Sequence, residues 1–574
     1  MNKWFKNKRT QAYMTLLLAA VVLLLLNVLV NTFDAHLDLT EEKRFTLTEP
    51  TKRQLRDLKD PVYVRVLLEG KFPAGFKRLQ TATKDMLNDF HGINPNVSYK
   101  FEDPTEGGTP EERKRRFEQY AKEGLVPTRL RLADDKERTE KYIFPFAEIN
   151  YQGQKAVVKI LEEDVRGQNA EIALNNSVSL LEYKFSNAIQ KLLLRNKPNI
   201  VFTEGHDELK AEETGDLEKT LRAFFNTGRI NLDSVVEIPF RDSFKRVDIL
   251  VIAKPKTAFS EKHKFQIDQY VMQGGKVMWL IDRLTADISG MQQTGEMTPT
   301  DYPLNLEDIL FKYGVRINPN MIVDLESSRI PLKVGIGAGG EPQMDKFLWY
   351  FFPIVAPSTK HPIAKGLDRV WLRFPSSIDT IRTKSDVRKT ILLSSSKRSR
   401  LQFAPTKVSF EMLRYPVDPT KFDKGNQPIA VMLEGRFPSN FENRVTAEQQ
   451  AMMQRLGMLY TPLSKETKML VVADGDIARN EYDVAKGAMF PLGFDRVDGY
   501  KFANKDFLLN AIEYMLDDKG IIEARSKEVK LRMIDTVFAK ENMTAIRLIN
   551  IVLPLLFLAA FGFFYFWRRK KKYS

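Results

Sequence analysis

Hydrophobic residues form two long uninterrupted runs near the ends of the chain and recur at regular intervals between them. Residues 12–30 carry no charged side chain. As a helix rising about 1.5 Å per residue they span about 28 Å, close to the hydrocarbon thickness of a bilayer. Residues 548–567 form a second charge-free run of similar length. The pattern predicts two terminal transmembrane helices that flank one large block.

Basic residues lie just outside both predicted spans. Four Lys and Arg residues stand in the tail 1–11, and five consecutive ones begin the tail 568–574. Because Lys and Arg near a span favour the cytoplasmic side, we expect both termini in the cytoplasm and the bulk of the chain in the periplasm, anchored in the inner membrane. A cleaved signal peptide is the alternative for residues 12–30, but residues 31–35 lack the small-residue cleavage site that it needs.

Residues 31–172 alternate between helical and strand periodicity. A helix is predicted near Thr48 with Pro50 in its first turn, and a strand follows residue 61. A second strand and a hairpin that turns at Gln152-Gly153 complete a β-α-β unit with a hairpin. This order predicts an N-terminal thioredoxin-like α/β domain, and residues 173–195 form a connecting helix. Thioredoxin chemistry needs a C-x-x-C motif, which the chain lacks.

Residues 196–330 contain apolar strands separated by helices. The strands are NIVFTEG, RVDILVIAKP and KVMWLID, and the helix between the last two ends on Gly274-Gly275. This alternation predicts a doubly wound, parallel α/β domain, with residues 331–520 as a strand-rich remainder that completes it. We interpret residues 284–304, which are polar, as a long surface loop, and residues 521–547 as a helix that leads to the membrane.

The formal net charge of +14 mainly reflects the basic tails that determine the predicted membrane topology. The two tails supply nine positive charges, which leaves +5 for the block between the spans. No basic and aromatic motif for nucleic acid is present, so we expect no nucleic-acid partner. The chain has no cysteine, which excludes disulfides, a cysteine nucleophile and cysteine metal ligands.

One polar loop follows a buried strand and is the candidate ligand or partner loop. Its residues are Glu204, His206, Asp207 and Glu208. Such a position, at the carboxyl end of a parallel strand, is where open α/β sheets bind ligands. Metal binding or acid–base catalysis is an alternative hypothesis, although the five histidines are scattered without an H-x-x-H pair. A capped strand-to-helix turn is the structural alternative.

Motifs for nucleotide and covalent chemistry are missing or out of context. The G-x-G-x-x-G spacing at residues 335–340 is followed by Pro342 rather than a helix, and neither a P-loop nor a G-x-S-x-G elbow occurs. Asp282, Asp474 and Asp476 follow predicted strands, and we interpret them as turn residues. We therefore predict no catalytic residue, no cofactor and no metal.

Several segments taken in order resemble the GldG family of gliding-motility-associated ABC transporter proteins. They include FTEGHDE, the unit DILVIAKP…FSEKHKFQIDQYVMQGGKVMWLID, PIAVMLEGRFPS, VVADGD and FANKDFLLNAIEYMLDDKG. The resemblance covers nearly the whole chain and implies a central glutamine-amidotransferase-like fold without its catalytic cysteine. It also implies two partners, a permease subunit and a cytoplasmic ATPase subunit that binds ATP in trans, and it supplies no ligand.

Three functional hypotheses follow. The first is a non-enzymatic, membrane-anchored auxiliary (substrate-binding-type) subunit of an ABC transporter associated with gliding motility. The second is a periplasmic scaffold that binds envelope components and transports nothing. The third is an amidotransferase-like enzyme, which is disfavoured because the sequence shows no nucleophile constellation.

Overall fold

The structure is a computed structural model, and it divides into two compact units, residues 1–527 and 528–574, which we describe separately. Ten residues between 13 and 25 are described and are helical, and the rest of the predicted span 12–30 lies outside the described residues. The remaining described residues are 46–70, 72–133, 138–162, 170–194, 196–240, 245–336, 340–357, 361–455, 460–483, 487–526 and 542–573.

The N-terminal part of the first unit is built on a four-stranded sheet in the order β2-β1-β5-β6. Strands β1 and β2 are parallel, and β5 and β6 form an antiparallel hairpin. The alternation of apolar and polar residues in β1 buries Val62, Val64 and Val66 on one face. The elements are α1 (Glu49–Arg56), β1 (Val62–Val66), α2 (Ala74–Ile93), β2 (Val97–Phe101), α3 (Pro110–Lys122), β3 (Thr128–Ala133), β4 (Arg138–Ile143), β5 (Phe146–Tyr151) and β6 (Gln154–Lys159).

The predicted connecting helix is present as α4, Ala170–Leu193. It does more than connect, because Leu181, Phe185 and Ile189 are buried in the same hydrophobic cluster as the strands of the four-stranded sheet. Glu182 also accepts hydrogen bonds from the backbone N–H and the hydroxyl of Thr48, at 2.7 Å each. Helix α4 is therefore part of the N-terminal core.

A seven-stranded sheet in the order β18-β21-β22-β10-β9-β7-β8 forms the centre of the first unit. Its five strands from β22 to β8 run parallel, and β21 is antiparallel to both of its neighbours. The elements are β7 (Asn199–Glu204), α5 (Gly215–Leu221), β8 (Asn226–Asn231), β9 (Ile249–Ala253), α6 (Glu261–Met272), β10 (Lys276–Leu280), β18 (Val387–Ser394), β21 (Pro428–Gly435), α9 (Ala447–Arg455), β22 (Thr467–Val472) and α10 (Asn504–Leu516).

Two hydrophobic cores cover the faces of this sheet. Helix α10 packs on one face through residues such as Phe507 and Ile512, and α6 packs on the other through Ile267 and Val271. The inner strand β9 (ILVIA) is buried along its whole length, as its continuous apolar sequence predicts. Because β18, β21 and β22 complete the sheet, it extends across the domain boundary predicted at residue 330.

Residues 284–304 lie largely at the surface, as predicted, but they are not a loop throughout. They contain helix α7 (Ile288–Thr294) and the short strand β11 (Glu296–Met297). Leu284 and Met291 are buried in a cluster with Trp349 and Phe351. The prediction of a loop was wrong over residues 288–297, because the few apolar residues of this segment pack against partners that are distant in sequence.

Short strand pairs form the rest of the first unit beside the large sheet. The hairpin of β14 and β15 is the longest of them. The elements are α8 (Glu307–Tyr313), β12 (Val315–Ile317), β13 (Asn320–Asp324), β14 (Ser327–Ile336), β15 (Pro342–Val355), β16 (Val370–Trp371), β17 (Ile378–Thr380), β19 (Ser399–Phe403), β20 (Val408–Ser409), β23 (Tyr482–Asp483), β24 (Ala488–Met489), β25 (Phe494–Asp495) and β26 (Tyr500–Lys501).

The predicted helix 521–547 does not begin as an α-helix. Residues Ile521–Ser526 form a 3₁₀ helix, and residues 527–541 lie outside the described residues. The second unit contains α11, Met543–Tyr573, which includes the predicted span 548–567 and continues into the basic tail. By length and composition α11 is able to cross a membrane.

Candidate functional site

The carboxyl ends of β7, β9, β10 and β22 meet at one edge of the seven-stranded sheet. The register aligns the last residues of three of these strands, Ala253 with Leu280 and Leu280 with Val472. The chain leaves β7 for β8 on one side and then returns to β9 on the other, so a topological switch point lies beside β7. Open α/β sheets bind ligands at such an edge, and the predicted loop lies there.

The four residues of the predicted loop have two different environments. Glu204 and Asp207 are exposed, and Asp207 adopts a left-handed backbone conformation with φ of 55°. His206 and Glu208 are buried. The backbone N–H of His206 donates to Glu208 Oε2 at 2.7 Å, so the loop is also a capped turn. The structure therefore divides the predicted site into an exposed pair and a buried pair.

Two histidines that are far apart in sequence meet behind this turn. His206 Nε2 lies 3.0 Å from His263 Nδ1, and His263 Nε2 lies 2.9 Å from Asp233 Oδ1. The His206 ring also stacks on the ring of Phe259, with centroids 3.7 Å apart. Since the Asp233 carboxylate accepts, we assign the proton of neutral His263 to Nε2, and its Nδ1 then accepts from His206 Nε2. The scattered histidines of the sequence thus include one hydrogen-bonded pair.

His206 and Glu208 also approach each other closely inside the turn. His206 Nδ1 and Glu208 Oε1 lie 3.4 Å apart, and neither buried atom has a hydrogen-bond partner within the described residues. Burial raises the pKa of Glu208, but hydrogen bonds from His206 outweigh burial and lower it overall. We infer that Glu208 is a carboxylate whose Oε1 faces the His206 ring.

A second buried cluster lies at the same edge, and its central residue, Lys254, is not among the residues predicted from the sequence. Lys254 Nζ lies 3.0 Å from Asp282 Oδ2 and 2.6 Å from Asp476 Oδ2, and at most 8% of each of these side chains is exposed. Asp474 accepts from the backbone N–H of Arg373 at 2.7 Å. Two of the three aspartates that we interpreted as turn residues, Asp282 and Asp476, therefore converge on one lysine. Asp474 is a turn residue as predicted, because it accepts from the backbone N–H of Asp476 at 2.8 Å.

The electrostatics of this cluster stabilise a cationic lysine. Burial alone lowers the pKa of Lys254, but the carboxylates of Asp282 and Asp476 raise it overall. Burial raises the pKa of Asp474 well above its usual range, and the neighbouring carboxylates add to this. Asp476 has the opposite balance, because Lys254 and two arginines outweigh burial and lower its pKa to about 2.

The geometry gives the lysine cluster a structural rather than a catalytic capability. A lysine held cationic by two carboxylates is neither a base nor a nucleophile. The backbone also closes tightly around it, since a Cβ added to Gly475 would lie 2.6 Å from Lys254 Cβ. Within the described residues, no group of three or more histidine and acidic side chains is arranged to hold a metal. The cluster joins the ends of β9, β10 and β22.

Comparison with known proteins identifies the family. A family model described as an ABC-type uncharacterized transport system matches residues 197–511, which is more than half of the chain. The chain belongs to this ABC-type transport system family. The match supports the prediction of an ABC transporter auxiliary protein, and the matched region of this chain contains both buried clusters. A second model, for a domain of unknown function, matches residues 41–150.

Two further proteins are similar to this family member. An uncharacterized protein of Borreliella burgdorferi is 23% identical over 464 residues, which cover 79% of this chain and 84% of the relative. The solved structure of the mmIFT52 N-terminal domain aligns with 56% of this chain and 97% of its own, at 12% identity and a TM-score of 0.31. Neither similarity assigns a ligand to the carboxyl edge.

Proposed function

We propose that the chain is a non-enzymatic, membrane-anchored auxiliary subunit of an ABC transporter, which works with a permease and with an ATPase that binds ATP in trans. The family match carries this proposal. Helix α11 supports the anchoring, because it is long and apolar enough to span a bilayer. The closed lysine cluster supports a non-enzymatic role, because its charged groups are already paired with one another.

The partners are tested by purification of the tagged full-length chain from native membranes in a mild detergent. We expect a permease and an ATPase to co-purify in a fixed ratio, as identified by mass spectrometry. An untagged strain processed in parallel shows the background. Recovery of envelope proteins without either transporter subunit refutes the proposal and favours the periplasmic scaffold. The identity of the co-purified transporter also decides whether the proposed link to gliding motility holds.

The proposed topology places the C-terminus in the cytoplasm and the large block in the periplasm. Because the chain has no cysteine, single introduced cysteines test this topology directly. Glu448 is an exposed residue of α9, and Ser574 is the last residue of the chain. In intact cells whose outer layer is permeabilised, we expect a membrane-impermeant maleimide to label Glu448→Cys. Ser574→Cys should react only after the inner membrane is opened. Labelling of both variants while the inner membrane is still intact contradicts a cytoplasmic C-terminus.

The proposed mechanism passes movement of the permease through α11 to the periplasmic domains. The residues that precede the membrane segment support this route, because Ile522 and Ala524 of the 3₁₀ helix are buried in a cluster with Tyr183 of α4. A displacement at residue 526 would therefore reach the N-terminal core. Site-specific crosslinks between α4 and the 3₁₀ helix should slow ATP turnover of the complex, and unchanged turnover contradicts the mechanism.

A further inference from the structure

A cleft of about 490 Å³ lies within the first unit, away from the carboxyl edge of the large sheet. Strand β6 and helix α4 line it on the N-terminal side, and helix α10 and strand β26 line it on the other. Pockets of about 300–1,000 Å³ between structural layers are typical of small-molecule sites. The cleft is therefore large enough for a small solute.

Among the described residues, the charged side chains that line the cleft are five cations and four carboxylates. Lys191 Nζ lies 2.5 Å from Glu513 Oε1, and Lys184 forms an ion pair with Glu162. Glu513 also accepts a hydrogen bond from Asn187 at 2.9 Å. Glu162 and Glu513 are therefore already engaged by lysines.

Arg525 is a lining cation that forms no direct ion pair within the described residues, and the carboxylates of Glu162 and Glu513 act on it only at longer range. Arg525 is 7% exposed. Among the described residues, no carboxylate oxygen lies within 4 Å of its guanidinium. Nη1 donates to Asn510 Oδ1 at 2.8 Å, Nη2 donates to the carbonyl oxygen of Lys365 at 3.2 Å, and Nε has no partner in the described part of the chain. Two of its five N–H groups thus have protein acceptors.

The guanidinium is also held in place. Its carbon lies 5.4 Å from the centre of the Tyr183 ring, and the bond to Asn510 fixes one of its edges. Buried donors in native proteins nearly always have an acceptor, so a buried arginine with unused donors beside a cleft indicates a missing acceptor. The guanidinium fork matches the two oxygens of a carboxylate or phosphate group.

We propose that this cleft binds a small oxyanion, a solute that carries a carboxylate or phosphate group, and that Arg525 is its principal ligand. Lys159, an exposed lysine that lines the cleft, contributes a second positive charge to the site. The cleft residues carry this proposal, so it does not depend on the transporter partners proposed above.

The test measures anion binding to the purified full-length chain in detergent by isothermal titration calorimetry. Inorganic phosphate and citrate serve as probes, and chloride keeps the ionic strength constant. We expect saturable binding of one equivalent of at least one probe, and the preferred probe distinguishes phosphate from carboxylate solutes. Absence of saturable binding of both probes overturns the proposal.

Three variants locate the site. Arg525→Lys keeps the charge but loses the fork, and we expect its affinity to fall at least tenfold. Lys159→Glu, an exposed substitution, should weaken binding several-fold. Lys84→Glu is the matched control, since it makes the same charge change at an exposed lysine of α2 outside the cleft lining, and it should bind as the unmodified chain does.

Two results with these variants overturn the assignment. One is a folded Arg525→Lys chain, with an unchanged thermal midpoint, that binds the probe as tightly as the unmodified chain does. The other result applies if Arg525→Lys fails to fold. In that case only the comparison of Lys159→Glu with Lys84→Glu tests the assignment. Equal affinities of Lys159→Glu and Lys84→Glu show that the bound anion is elsewhere.

Discussion

Replacement of Lys254 by Met is the sharpest test of the buried cluster at the carboxyl edge. It leaves the carboxylates of Asp282 and Asp476 without the ammonium that lies 3.0 and 2.6 Å from them. These side chains are at most 8% exposed, so water compensates little of the loss. Removal of one partner from such a pair costs about 3–5 kcal/mol. Lys254 has a φ of 54°, and any backbone strain is the same in the Met variant.

Hydrogen exchange of β9, β10 and β22, measured by mass spectrometry on the full-length chain, reports this loss locally. Since about 1.4 kcal/mol corresponds to a factor of ten, we expect protection to fall by about a hundredfold to a few thousandfold. Lys256→Met is the matched control, because Lys256 is exposed two residues later, and its effect should stay within about 0.5 kcal/mol. Equal protection in the two variants refutes the reasoning.

The stability difference between the Lys254→Met variant and the unmodified chain depends on pH. The pKa of Asp476 is about 2 in the folded chain, below its ordinary value of 3.8. Its ion pair therefore stabilises the fold fully above pH 4 and loses this effect as the pH falls towards 2. The difference in hydrogen-exchange protection between Lys254→Met and the unmodified chain should therefore decrease over that pH interval. Additional Asp282→Asn and Asp476→Asn substitutions should restore part of the protection at neutral pH, because they remove the uncompensated charges.

Three further outcomes follow from the structure. Gly475→Ala should reduce protection of β22, because its Cβ would lie 2.6 Å from Lys254 Cβ, whereas Gly228→Ala, with no atom within 4 Å of the new Cβ, should not. His206→Phe removes the donor to His263 and should cost about 1–3 kcal/mol by the same exchange assay, whereas Asp233→Asn, at a 73% exposed carboxyl, should change little. Burial lowers the pKa of His361 to about 4, so the urea midpoint should fall as the pH decreases from about 6.5 to 4, and His361→Phe should flatten this dependence.

The regular elements were predictable wherever local sequence determines burial. Strand β9 is apolar at every position, and helix α6 ends where Gly274 adopts a φ of 104°. The segment 284–304 was not predictable in this way. Met291 is its main buried side chain, and the partner Trp349 is far away in sequence. A short amphipathic helix in a polar segment gives too weak a periodicity to show that it is covered.

The candidate site was only half predictable for a related reason. The apolar strands of the sequence indicate which polar residues follow strands, and Asp282 and Asp476 are recognisable individually as such residues. Lys254 was overlooked because lysine is almost never fully buried unless it is paired, and a single sequence does not display the pairing. The contact between His206 and His263 likewise depends on the parallel register of β7 and β9 and on the position of α6, both of which are tertiary properties.

The large sheet also constrains the order in which the chain acquires its structure. Its central strand β10 pairs with β22, and the partners Leu280 and Val472 are separated by almost two hundred residues. During synthesis the four-stranded sheet and α4 are complete by residue 193, whereas β10 lacks one neighbour until residue 472 has emerged. Until then, the apolar edge of β10 is exposed to other chains. A chain whose synthesis stops between β10 and β22 would therefore be prone to aggregation. A chaperone would have most effect in the interval between the synthesis of these two strands.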